Sequence, residues 1–220
     1  MRSLFCAAIA IALAACGAPS PSTAQPQPSP IPGRVTHDST AASLVPVGFG
    51  TLRQEDISII LQQNGVRVTL IPLDEAVIRT LAPDSYRALR APLESKRQQI
   101  MQRSSIRGIR EPHVWYATFA GLVPDARFVP TDITVTSGGR EFRPIDVIGL
   151  STGFSEQRLQ PRETQRGLLV FDEALDTSQP LVVIMGSDRN TDWSNDRSDS
   201  ILSRVEAERA QIRARASSRP

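Results

Sequence analysis

The chain has 220 residues, of which 40% are apolar and 22% are charged, close to the values of an ordinary globular protein. Its 25 basic and 23 acidic residues leave a formal net charge of +2, and this balance excludes a dedicated nucleic-acid binder, which would carry a strong basic excess. Aromatic residues make up only 5%, so few side chains are available to build a stacking surface for bases or sugars.

The first residues are typical of an export signal. Residues 1–3 are a short basic start, and residues 4–15 form an unbroken apolar run of twelve residues. Twelve helical residues span about 18 Å, whereas a membrane-spanning helix needs about 20 residues. The run therefore predicts the apolar region of a signal peptide and not a transmembrane helix.

The apolar run ends in Leu13-Ala14-Ala15-Cys16, which resembles the lipobox of bacterial lipoproteins. The resemblance implies that residues 1–15 are a lipoprotein signal peptide and that Cys16 is lipidated through its sulfur and becomes the first mature residue. Gly17 follows, and not aspartate, which in the proteobacterial sorting scheme implies export to the outer membrane, facing the periplasm or the cell surface. The alternative is an ordinary secretory signal cleaved near Ala15, with Cys16 incidental.

Cysteine usage excludes two classes of site from the mature domain. The chain has two cysteines. The lipobox resemblance implies that Cys6 leaves with the signal and that Cys16 carries the lipid. The remaining domain then has no thiol for catalysis and no cysteine for a metal site. We expect no metal and no other cofactor.

Residues 16–45 are predicted to be a proline-rich disordered tether. Residues 17–45 contain six prolines, and most of the others are Ser, Thr, Gln and Ala. Such a segment buries too little apolar surface to offset the entropy lost on ordering. A flexible chain of this length has a root-mean-square span of roughly 30 Å, so the folded part is expected to stand off the membrane.

Alternating apolar residues predict a β-sandwich over residues 46–190, with about seven strands. Asn64-Gly65 separates two of the runs and is a strong hairpin signal. Ser137-Gly138-Gly139 marks another turn. The strand-like runs are residues 57–61, 66–70, 114–119, 133–136, 141–142 (which residues 145–148 continue or follow), 167–171 and 181–185.

Helical patterns interrupt the strands and close the chain. An insertion over about residues 74–105 contains a short helix capped by Asp74 and a second helical pattern that opens at Pro83. Pro92 is expected to break or kink the second one. Residues 191–220 are expected to form a polar loop and a charged C-terminal helix, solvated because its apolar stripe is thin. The acidic run of Asp188, Asp192, Asp196 and Asp199 is interpreted as part of the polar loop that leads into it.

The strand half resembles the immunoglobulin-like β-sandwich modules of unassigned function in bacterial lipoproteins and surface proteins. The resemblance covers about residues 112–186. It rests on Leu-Gln-Pro-Arg-Glu-Thr at residues 159–164, followed by Gly-Leu-Leu-Val-Phe at residues 167–171. It implies an antiparallel sandwich and transfers no catalytic residue.

A local excess of positive charge on the helical insertion is the best surface candidate. Between residues 87 and 110 only Glu94 opposes it. The planar guanidinium group of arginine can form paired hydrogen bonds with the phosphates of lipid headgroups or lipopolysaccharide and with the carboxylates of cell-wall peptides. The alternative is a solvated helix face offset by acids elsewhere. This basic set consists of Arg87, Arg90, Lys96, Arg97, Arg103, Arg107 and Arg110.

Three features that suggest catalysis have simpler interpretations. Residues 149–153 match the Gly-x-Ser-x-Gly pattern of a hydrolase nucleophile, but that mechanism needs a later histidine, and His37 and His113 both precede Ser151. We therefore expect a glycine-bearing strand end. His113 is expected to have an edge or hydrogen-bonding role, and the acidic residues 172, 173 and 176 are expected to form a strand-end turn.

Together these observations predict a lipid-anchored cell-envelope lipoprotein that acts as a non-catalytic binding or structural module. Its partners would be the membrane, through the lipid on Cys16, and another envelope protein or an anionic envelope component. Exposed strand edges of the sandwich would pair with a strand of the partner protein, and the basic insertion would orient that partner. The alternatives are a hydrolase acting on the cell wall or on lipids, and a small-ligand carrier.

Overall fold

A computed structural model describes residues 44–194 and 199–218, and shows a mainly β protein with a helical insertion and a C-terminal helix. Cys16 and nearly all of the predicted tether lie outside the described residues. Everything described belongs to one unit, Ser39–Pro220. The strands are β1 Ile59–Gln63, β2 Val66–Pro72, β3 His113–Gly121, β4 Ala126–Arg127, β5 Ile133–Ser137, β6 Arg140–Phe142, β7 Asp146–Gly149, β8 Arg158–Leu159, β9 Thr164–Phe171, β10 Leu181–Met185 and β11 Asp188–Asn190. The helices are α1 Glu75–Ile78, α2 Pro83–Ile106 and α3 Ile201–Ser217.

The larger sheet has five antiparallel strands in the order β1-β2-β3-β9-β7. Its inner face carries Trp115, Ala117 and Phe119 of β3, none of which has exposed surface. Successive side chains of a strand point to opposite faces, so the predicted alternation of this run is confirmed. Leu169 of β9 lies opposite Trp115 and extends the same buried face.

The second sheet has four antiparallel strands in the order β11-β10-β5-β6, and a small β4–β8 pair lies beside the two larger sheets. Val135 of β5 and Val183 of β10 are buried in the same hydrophobic core as Trp115 and Phe119. The predicted sandwich-like arrangement of antiparallel strands is confirmed. Its closer likeness to immunoglobulin-like modules stays a prediction.

Both predicted tight turns are present. Asn64 and Gly65 join β1 to β2 with φ values of 50° and 73°. Gly138 and Gly139 join β5 to β6 with φ values of 55° and 77°. Positive φ at both central residues is the hairpin geometry that matches the strand twist.

The outer edge of β1 is covered by β11, which the sequence pattern did not indicate. The Asp188 carboxylate accepts from the Gln62 backbone N–H at 2.5 Å, and the Asn190 side chain donates to the Ile60 carbonyl at 3.1 Å. Part of the acidic run is therefore structural. Asp192 accepts from the Asn190 amide at 2.8 Å, and Asp196 lies outside the described residues.

Helix α2 continues through Pro92, so the expected break is wrong, and the alternative of a kink stays a prediction. Leu89 before the proline and Ile100 after it are both buried in the hydrophobic core. Packing of both halves against one surface stabilises the helix across the missing N–H. Leu168 and Val170 of β9 belong to the same buried cluster, and Arg103 of α2 binds Asp146 of β7.

Helix α3 packs against the body, and the expected solvated helix is wrong. Ile201, Val205 and Ile212 are almost completely buried, so the apolar stripe is thin but fully used. Glu208 is also buried and accepts from the Thr51 N–H at 3.1 Å. The Arg204 side chain donates to the Asp56 carbonyl at 2.9 and 3.2 Å.

Candidate functional site: the β7 edge and its basic border

Strand β7 is paired on one side only, with β9, and its other side faces no strand of the described chain. The Leu150 N–H donates to the Arg166 carbonyl of β9 at 2.9 Å. Backbone groups of an antiparallel strand alternate between its two sides, so those of Val147 and Gly149 point away from β9. No hydrogen bond within the described chain uses these outward groups. We call them the β7 edge.

A β-bulge ends the strand beyond Gly149. The N–H groups of Leu150 and Ser151 both donate to the Arg166 carbonyl, at 2.9 and 3.3 Å. Two residues at the end of β7 therefore lie opposite one residue of β9, which is the pattern of a β-bulge. The Ser151 hydroxyl accepts from the Arg166 N–H at 2.9 Å. Residues 149–153 therefore form a strand end and a turn, and a short 3-10 turn at Phe154–Glu156 follows in place of the helix that a nucleophile elbow needs.

A groove of about 440 Å³ lies along the β7 edge. Phe154 lines it and packs beside two glycines: a Cβ on Gly149 would lie 3.0 Å from the Phe154 side chain, and one on Gly167 would lie 2.6 Å from it. The glycines make room for the ring next to the edge. The groove is lined by Val147, Gly149, Ser151, Gly153, Phe154, Ser155 and Gln157.

Helix α2 distributes the basic set over two flanks. Side chains advance by roughly 100° per residue, which places Lys96 and Arg103 on one side of the buried Leu89–Ile100 stripe and Arg90 and Arg97 on the other. Arg87 points away from the stripe. Arg107 and Arg110 follow the helix in the turn towards β3. The seven residues thus do not share one helix face.

The flank that carries Arg90 and Arg97 is neutralised. Arg90 pairs with Glu75 of α1 and with Glu94, the latter at 2.6 Å. Arg97 lies 3.7 Å from Glu94. Arg87, on the far side of the helix, pairs with Asp84.

The other flank borders the β7 edge. Arg103 binds the carboxylate of Asp146, the first residue of β7, at 3.1 Å. Lys96, Arg107 and Arg110 have no ion pair within the described ranges 44–194 and 199–218. We call Lys96, Arg103, Arg107 and Arg110 the basic border.

The turn after α2 is tied to the sheet close to β7. The carboxylate of Glu173 accepts from the Arg110 N–H at 3.1 Å. Glu173 comes two residues after the end of β9, and β9 pairs with β7 near that end, where Val170 lies opposite Asp146. Arg107 and Arg110 are therefore held near the start of the β7 edge.

His113 has the expected hydrogen-bonding role. Its Nδ1 lies 2.7 Å from the Asp74 carboxylate. Burial favours the neutral ring, but the hydrogen bond and charge of Asp74, together with the charges of Asp176 and Asp172, outweigh it and raise the pKa of His113 above 6.5. Asp74 was expected to cap α1, and its side chain makes no capping hydrogen bond there.

We expect stability to fall as the pH rises through the folded-state pKa of His113. A raised folded-state pKa adds stability that is fully present below the unfolded pKa of about 6.5 and is lost above the folded one. Asp74→Asn should flatten this fall because it removes the largest favourable contribution to the charged ring. Urea unfolding at several pH values measures this pH dependence of stability, and His113→Gln, which lacks the titrating ring, gives the baseline. Equal pH profiles for the wild type and Asp74→Asn would contradict the assignment.

Comparison with known protein families, with curated proteins and with solved structures finds no match to this chain. Among the described residues, no helix is both long and apolar enough to cross a bilayer. Over the same residues, no group of three or more His, Cys, Asp or Glu side chains is arranged to hold a metal ion.

Proposed function

We propose that the protein is a lipid-anchored envelope lipoprotein and that it binds an extended, acidic segment of another envelope protein by strand addition at the β7 edge. The observation that carries the proposal is the set of outward backbone groups of Val147 and Gly149 beside a groove. An added strand would satisfy these groups, and its side chains would fill the groove. The module itself would be non-catalytic.

Charge supports an acidic partner. Arg103 of the basic border binds Asp146 at the start of β7, and Lys96, Arg107 and Arg110 have no ion pair among the described residues. A carboxylate on the incoming strand would meet arginine forks there. Opposite charges would speed the encounter and fix the direction of the strand.

The other sheet edges are less suited to strand addition. β1 is covered by Asp188 and Asn190 of β11. β6 has only three residues, and only Glu141 directs its backbone groups outward because Arg140, next to the two-residue turn, pairs with β5. Its charged side chain is a common protection of an edge strand.

Proline substitution tests the β7 edge. Val147→Pro removes an N–H that points away from β9, so the fold is expected to persist, since edge strands accept proline at such positions. Glu141→Pro is the matched control on β6. In crosslinked envelopes, the wild type and Glu141→Pro should capture the same envelope protein, read by mass spectrometry, and Val147→Pro should lose it. Capture by Val147→Pro at the wild-type level would refute strand addition here.

The same capture tests the basic border. Combined replacement of Lys96, Arg107 and Arg110 by glutamine should weaken capture at low salt and have little effect at high salt, because exposed charges are screened. Arg87→Gln with Arg97→Gln is the control, since both residues lie off the border. Equal capture by both variants at low salt would leave no role for these charges.

A further inference from the structure

A second cavity, of about 470 Å³, lies at one end of the sandwich and shares no lining residue with the β7 groove. The β1–β2 turn, the end of β10 and the segment that leads from β4 into β5 surround it. Its volume is in the range of small-molecule sites. Gln63, Arg127, Asp132, Arg143 and Gly186 are among the residues that line it.

Two exposed arginines, Arg127 and Arg143, are among the residues that line this cavity. In the part of the chain that the structure describes, the side chains of Arg127 and Arg143 form neither an ion pair nor a hydrogen bond. Arg127 also lies directly opposite Arg158 in the β4–β8 pair, and like charges at opposite positions destabilise the pairing of two strands. Asp125 binds Arg158 at 3.0 Å and interacts with Arg127 only through its charge, without a direct contact.

A buried amide and a carboxylate also lie at this cavity. The Gln63 Oε1 atom is buried and has no hydrogen-bond partner among the described residues. Gly186, with φ +57°, lies against this amide: a Cβ there would come within 1.9 Å of Gln63 Nε2. The close approach holds the amide in place. Asp132 adds a carboxylate that is not part of any ion pair in residues 44–194 and 199–218.

We propose that this cavity binds a small amino-acid-like or peptide-like acid. Its carboxylate would bind Arg127 and Arg143, whose planar forks match that group. Its ammonium group would donate to the Asp132 carboxylate. Two arginines and a carboxylate in one cavity suit a ligand that carries both an anionic and a cationic group better than a simple anion.

Calorimetry on the full chain in detergent, with the dipeptide alanyl-alanine as the probe, tests the proposal. Amidation of the dipeptide's C-terminus should weaken binding about tenfold or more, since it removes the charge that the arginines recognise. Arg127→Gln combined with Arg143→Gln should produce the same loss, and amidation should then have no further effect. Asp132→Asn should remove the sensitivity to N-acetylation of the dipeptide.

Arg166→Gln is the matched control, because Arg166 is exposed on β9 and does not line the cavity. Circular dichroism of each variant should match the wild type. Three results would overturn the proposal: no binding of the dipeptide at about 10 mM, wild-type binding by the double arginine variant, or displacement of the dipeptide by an equal concentration of inorganic phosphate. The last would indicate a general anion site.

Discussion

Cys16→Ala is expected to abolish the incorporation of fatty acid into the protein completely. The lipobox resemblance implies that the Cys16 sulfur accepts the lipid and that Cys6 lies inside the signal peptide. One acyl chain gives marginal membrane binding, whereas two or more give a stable anchor at about 0.8 kcal/mol for each buried CH₂. The mature chain should therefore resist extraction by high salt, and unlipidated mature chain should not.

Metabolic labelling with a fatty-acid analogue, followed by the intact mass of the purified protein, measures this effect. Cys6→Ala is the matched control, because it changes the other cysteine of the chain and should keep both the label and the acyl mass. Labelling of Cys16→Ala would place the lipid elsewhere. A wild-type mass that fits cleavage near Ala15 without added lipid would favour an ordinary secretory signal.

The strands that the sequence predicts are those whose signal is local. Alternation in β3 and the Asn64-Gly65 turn follow from the strand period and from backbone sterics, which need no knowledge of the rest of the chain. β4 and β8 have two residues each, too few for any periodicity to appear. β11 is polar because its side chains bind the edge of β1, more than a hundred residues away in sequence.

For the helices, the local sequence pattern does not determine how the element packs in the fold. The apolar stripe of α3 is thin, but burial depends on what the stripe meets, and Val205 and Ile212 meet the body. Pro92 would be expected to break an isolated helix, whereas α2 continues through it here, with Leu89 before it and Ile100 after it buried in the core. Neither the burial of α3 nor the continuity of α2 can be predicted from the sequence of the helix alone.

One part of the candidate site can be predicted from the sequence, and the other part depends on the tertiary fold. The density of basic residues over residues 87–110 is visible in the sequence. Which of them are neutralised depends on Glu75 of α1 and Asp146 of β7, and so on the tertiary fold. The open position of β7 is a property of the strand order, which no local pattern reports.

Phe119→Ala is expected to lower the free energy of unfolding by about 3–5 kcal/mol, the usual cost of deleting a buried phenylalanine ring. Phe119 has no exposed surface and stacks on Phe128 with ring centroids 4.2 Å apart. Phe154 meets both rings edge-on, at 5.9 and 5.5 Å. The loss is a large part of the roughly 5–15 kcal/mol that stabilises a typical domain. Urea unfolding measures it, with Phe119→Leu as a control that keeps most of the volume and should cost less than about 2 kcal/mol.

The same substitution connects the core to the proposed binding edge. Phe154 lines the β7 groove and is supported from behind by Phe119 and Phe128, so Phe119→Ala should weaken partner capture as well as stability. Val147→Pro should weaken capture while the unfolding free energy stays much closer to that of the wild type, because it removes only an outward N–H. A Phe119→Ala protein that keeps wild-type stability would mean that the three rings do not pack as described. One that loses stability but captures normally at low temperature would mean that the groove does not depend on Phe154.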